Sequence, residues 1–110
     1  MAKAEVFIVK TADRGVGVAA LLEKIGLQDY KEKTVAIKEN FNSADPFPSS
    51  THLDTLRGII EGLKGAGAGE ITLGERSGMG DTRKVLEQMG MLGLAQELGF
   101  NAKPYLETAL

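Results

Sequence analysis

The chain has 110 residues, 43% hydrophobic and 25% charged, which is enough apolar material for a single domain with its own core. Its formal charge is -2 with the two signs interspersed, so no basic face is built for nucleic-acid phosphates, and no apolar run approaches the roughly 20 residues that cross a bilayer. Zero cysteines exclude disulfides, thiolate nucleophiles and a cysteine-held iron–sulfur cluster in this chain, and a single histidine leaves any metal site to carboxylates.

In chain order, Glu5 to Val9 is short, β-branched and aromatic, and predicts a buried first strand. Val16, Val18, Leu21, Leu22 and Ile25 fall on one helical face, with Gly26 as the stop. Thr34 to Ile37 predicts a second strand, continuously apolar as in a sheet covered on both faces. A long polar connection, residues 40 to 52, then leads to a helix whose stripe is Leu53, Leu56, Ile59, Ile60 and Leu63, with Thr51 as its expected N-cap and Asp54 completing a capping box. Glycines from 65 to 69 end that helix, and Ile71 to Leu73 sits in a third strand. Asp81 or Gly80 then caps a helix carrying Val85, Leu86 and Met89, and Gly90 divides it from a piece with Leu92, Leu94, Ala95 and Leu98. Ala102 to Leu106 reads equally as a fourth strand or as none, because Pro104 cannot donate to a ladder and is confined to an edge.

Strands alternating with helices imply parallel pairing and right-handed crossovers. The expected fold is α/β: a three-layer helix–sheet–helix sandwich with a mainly parallel sheet of three or four strands, ordered βαβαβαα, as one domain over residues 1–110.

In such sheets ligands gather outside the carboxyl ends of the strands, where loops lead into helix N-termini. The connection after the second strand offers Lys38, Asn40, Asn42, Ser43, Asp45, Thr51 and His52; the turn after the third offers Glu75, Arg76, Ser77, Gly78, Gly80, Asp81 and Thr82. His52 is the natural acid/base group, with Asp45 and Lys38 beside it as catalytic candidates. Lys38 would neutralise an anion that Asn40 and Asn42 orient. In the second turn, the glycines allow close backbone approach, the Ser77 and Thr82 hydroxyls and the Arg76 guanidinium would hold an anion, and Asp81 would hold a divalent cation. Bland readings stand beside these: Asp81 as a helix cap, Asp45 as a turn former before Pro46, Lys38 as a solvated strand end, and Glu75 with Arg76 as an ion pair. The turn matches neither the dinucleotide fingerprint nor the P-loop pattern. Met79, Met89 and Met91 read as core or hinge residues.

Taken together, Lys38 to Asn40, Asn42 to Pro46, Ser50 to His52 with Asp54 to Leu56, and Glu75 to Thr82 resemble the signature stretches of the domain of unknown function 362 family, over roughly Val9 to Phe100. The resemblance singles out Lys38, Asn40, Asn42, Asp45, His52, Glu75, Arg76 and Asp81, and implies no established reaction. Glu39 stands where that family usually has a small residue or proline. The family's association with iron–sulfur clusters does not carry over, since this chain has no cysteine. The family domain also runs longer, which implies that the chain is the N-terminal part of a larger unit, or a homo-oligomer that covers the open edges. The expected function is a cytoplasmic small-anion or metal-assisted ligand site, with no membrane or nucleic-acid partner. The alternative is a non-catalytic assembly module docking a partner domain or electron carrier.

Overall fold

Asp13 opens the first helix. Its carboxylate accepts the Val16 N–H at 3.0 Å while the Thr11 hydroxyl accepts the Asp13 N–H at 3.0 Å, so the chain is turned and capped before α1, Arg14–Ile25, begins. The structure, a computed structural model, describes residues 3–41, 44–75 and 82–104. After a 3-10 turn, Gln28–Tyr30, come β1 (Val35–Lys38), α2 (Leu53–Gly65), β2 (Ile71–Glu75), α3 (Thr82–Gln88), α4 (Met91–Leu98) and β3 (Asn101–Pro104).

The strands form one sheet in the order β1-β2-β3, with both neighbouring pairs parallel. This is the expected α/β architecture, a three-strand parallel sheet with four helices. Which segments supply the strands differs from the sequence reading. Residues 5–9 form no strand: they run as coil with Val6 80% and Ile8 88% exposed. β-propensity measures fit to a paired, half-buried surface, and among the described residues no neighbouring strand provides one. The third strand of the sheet comes instead from the C-terminal segment. β3 is an edge strand and Pro104 is its last residue, which is where a residue without an N–H is tolerated.

β1 is the other edge. Its side chains alternate, half-buried at Val35 and Ile37 and exposed at Ala36 and Lys38, so the continuous burial expected for Thr34 to Ile37 is not seen. The central strand β2 buries Ile71 and Leu73.

The core is assembled by α2, whose Leu56, Ile60 and Leu63 are buried together with Phe41, Ile71, Leu73, Val85, Leu86, Met91, Leu94 and Phe100. Asp54 in its first turn and Lys64 in its last complement the helix dipole. The helix ends in a turn at Gly67, whose φ of 85° is the left-handed conformation, and the Ala68 N–H returns to the Leu63 carbonyl at 3.0 Å. Arg57 then reaches from α2 to Glu97 of α4, with Glu61 on its other side. The hydrogen bond to Glu97 is the main reason its guanidinium is held above the usual range.

α1 packs against α2 through glycines. A Cβ at Gly58 would lie 2.8 Å from Val18 Cγ1, and one at Gly62 would lie 2.8 Å from Leu22 Cδ1. Both contacts advance by four residues together, so the helices run parallel and their N-termini share one end of the molecule.

Candidate functional site

Parallel register fixes where the polar loops leave the sheet. Lys38 lies opposite Gly74, and Glu75 lies opposite Pro104, so the carboxyl ends of all three strands fall on one edge. The connection from β1 to α2 therefore begins on the same rim at which β2 ends, at Glu75.

Within the first connection, Asn40 and Thr51 tie the two ends together. The Asn40 N–H donates to Thr51 Oγ1 at 2.9 Å, and the Thr51 N–H donates to the Asn40 carbonyl at 3.0 Å. Asn40 Nδ2 also donates to the Ser49 carbonyl at 3.2 Å. Inside the closure, the Ser49 N–H returns to the Pro46 carbonyl at 3.0 Å, and Ser50 Oγ donates to the Asp45 carbonyl at 2.6 Å. A loop closed in this way holds its backbone with its own side chains, which is what a positioned surface loop requires.

The helix cap differs from the expected one. His52, not Thr51, caps α2: its Nδ1 accepts the Asp54 N–H at 3.1 Å, while the Thr51 hydroxyl is engaged by Asn40 across the loop. Any acceptor that reaches the second helical amide can cap, and the imidazole nitrogen does so here. With Nδ1 accepting, the ring proton of the neutral imidazole sits on Nε2, so Nε2 is the atom through which His52 would meet a ligand.

The Phe47 ring meets His52 edge-on, with centroids 5.2 Å apart and planes at 74°. Above Phe47 lies the Arg14 guanidinium, its Cζ 4.8 Å from the ring centroid. Arg14 is the first residue of α1, so the loop rests against the start of that helix.

The remaining candidates divide cleanly. Lys38 ends β1, and its ammonium donates to the Glu39 carbonyl at 2.8 Å, folding back over its own strand end. Asp45 is exposed and enters the loop network through its backbone carbonyl. Glu75 ends β2, and Thr82 is the buried first residue of α3. Asn42, Ser43, Arg76, Ser77, Gly78, Gly80 and Asp81, the metal candidate, lie outside the described residues, as does Met79. Among the described residues no three histidine or carboxylate side chains converge as metal ligands, and no helix is long and apolar enough to cross a membrane.

Arg14, Phe47, Ser50 and the buried Glu39 carboxyl group are site neighbours that sequence reasoning did not select. Phe47 carried a signal, an aromatic ring between two prolines in an otherwise polar loop. Arg14 carried none, because its role depends on how α1 docks. A cavity of about 560 Å³ opens at this end of the α1–α2 pair, with Val9, Val18 and Leu21 as apolar wall and Thr11, Arg14 and Thr55 as polar groups.

The sequence profile described as Domain of unknown function (DUF362) matches residues 35–108, about two thirds of the chain. The chain belongs to the DUF362 family. The DUF362 match starts at the first residue of β1 and takes in the three described strands and the connection from β1 to α2, whereas α1 precedes it. No curated protein and no solved structure matches the chain.

Proposed function

We propose that the strand C-terminal rim of this DUF362 domain binds a small anionic molecule, with a divalent cation as a companion. The observation that carries this reading is the parallel register of β1, β2 and β3, which puts Lys38 and Glu75, the last residues of β1 and β2, at one edge. Positive charge comes from Lys38 and, next in sequence to Glu75, from Arg76. Asn40 and Thr51 orient the loop, and His52 offers Nε2 to accept or deliver a proton, with Asp45 as the second acid/base group. Ser77, Gly78, Gly80 and Thr82 complete the anion cradle, and Asp81 takes the cation. A titration of the isotope-labelled protein with inorganic phosphate, acetate and Mg²⁺ tests it. The expected result is movement of the His52 ring resonances and of the Gly78 and Gly80 amides with at least one of the three. Spectra that stay unchanged with all of them would end the reading.

A second reading is favoured by the exposed apolar side chains of the N-terminal segment and α1, namely Val6, Ile8, Val16 and Ile25. In it the domain is an assembly module, and a second copy covers these groups and the open edge of the sheet. Light scattering discriminates: a particle of dimer mass or larger supports it, and a monomer that stays monodisperse at high concentration counts against it.

A further inference from the structure

We infer that Arg14 is a positioning residue for the rim, acting through Phe47 on His52, so that the placement of α1 sets the conformation of the loop that caps α2. This deepens the anion-site reading by naming what controls its histidine, and it rests on that reading only for its consequence, not for its geometry.

Three contacts form an unbroken chain. The Arg14 guanidinium lies 4.8 Å from the Phe47 centroid, within the range where a cation is attracted to the face of a ring. Phe47 meets the His52 imidazole edge-on at 5.2 Å, a geometry that aromatic quadrupoles favour. His52 Nδ1 in turn accepts the Asp54 N–H, which fixes the ring at the start of α2. The ring is thus held at one nitrogen by the helix and at its side by Phe47, and its Nε2 has little freedom to choose a direction.

Arg14 itself is placed by elements that do not depend on the loop. It begins a helix capped by Asp13, and α1 is set against α2 by the close approaches of Val18 to Gly58 and Leu22 to Gly62. Arg14 also lies outside residues 35–108, so this side chain belongs to a part of the chain that the DUF362 match does not include. Residue Phe47 is 51% exposed, so the stack closes over the surface of the loop and not inside the core. Such a contact directs a loop without determining whether the protein folds.

The test is a double-mutant cycle read by NMR on the 110-residue chain without any ligand, following the carbon-bound ring protons of His52 and the loop amides. Phe47→Leu is expected to move the His52 ring resonances by removing the neighbouring ring current, and Phe47→Tyr to restore them. Arg14→Ala is expected to move the same resonances in the wild-type background but to add nothing in the Phe47→Leu background, because its effect passes through the aromatic ring. Arg14→Gln, which keeps a long side chain at the first helical position, serves as the second variant if Arg14→Ala weakens α1, and amides at Gly58 and Gly62 report that the helix pair is intact. Shifts from Arg14 and Phe47 changes that simply add, or an unmoved His52 in both Arg14 variants, would overturn the proposal. Since every spectrum is of ligand-free protein, a failed phosphate titration leaves this result standing.

Discussion

Asn40 and Thr51, eleven positions apart, hydrogen-bond to each other twice: one contact is between their backbones, and the other runs from the Asn40 amide to the Thr51 hydroxyl. The pair closes the loop directly after β1 and directly before the cap of α2, so it sets the span across which any ligand at this rim would sit.

Thr51→Val keeps the shape of the side chain and removes the acceptor of the Asn40 N–H. The expected cost is about 1 kcal/mol, the usual net worth of such a bond, and Thr51→Ser should recover most of it. Urea unfolding gives the magnitude, and amide hydrogen exchange at Asn40 gives the location. Faster exchange at Asn40 with little change in the α4 amides is the expected pattern. Exchange that is equally fast in both proteins would show that the hydroxyl does not hold the loop.

His52 acts as a cap through Nδ1, so its replacement has a structural consequence that must be separated from any chemical one. His52→Ala should destabilise the protein by about 1 kcal/mol, and His52→Asn or His52→Asp, both good capping residues, should restore stability while removing the imidazole. Comparing the variants by thermal unfolding and by phosphate titration separates the two roles. A His52→Asn protein with wild-type stability and lost ligand response assigns the ring to the site, whereas retained response assigns it to the helix.

The buried stripe of α2 places Leu56, Ile60 and Leu63 in the core. Ile60 is 0% exposed in the core cluster that it shares with Leu73, Leu86 and Leu94, and Ile60→Ala should cost about 2–5 kcal/mol from lost burial and the cavity left behind. A shift of the urea midpoint with an unchanged slope is the expected signature. A loss under 1 kcal/mol would mean that the site collapses to fill the space.

Much of this arrangement was legible in the residues. Thr34 to Ile37, the 3.6-residue stripe from Leu53 to Leu63, and Ile71 to Leu73 located a strand, a helix and a strand in the order that imposes parallel pairing, and hence a common rim for the two polar loops. What escaped was tertiary in origin. The run Glu5 to Val9 has the composition of a strand, but pairing is a property of two segments, and no described neighbour offers it an edge. The cap of α2 escaped because Thr51 and His52 are both able to accept. The competition was decided by Asn40, eleven residues upstream, which takes the threonine hydroxyl. Arg14 and Phe47 escaped for the same reason, since only the docking of α1 brings them together.

Two glycines in one helix should respond differently to the same substitution. At Gly58 an added methyl group meets Val18 at Cγ1, 2.8 Å away, and at Cβ, 3.2 Å away, and a β-branched side chain in a helix has one strongly preferred rotamer and little room to yield. Gly62 instead faces the terminal Cδ1 of Leu22 at 2.8 Å and of Leu27 at 3.3 Å, and both can swing aside. Alanine gains about 1 kcal/mol over glycine in a helix interior at either position. Overpacking against Val18 costs typically about 1–3 kcal/mol, so Gly58→Ala should come out neutral to destabilising while Gly62→Ala stays near neutral. Gly93 of α4 has nothing within 4 Å of the position its Cβ would take, and Gly93→Ala should stabilise by close to the full helix-propensity difference. Thermal unfolding of the three variants should rank Gly93→Ala above Gly62→Ala above Gly58→Ala. If Gly58→Ala were instead the most stable, α1 would not lie against α2 along this seam, and the support it gives to the loop through Arg14 would be lost with it.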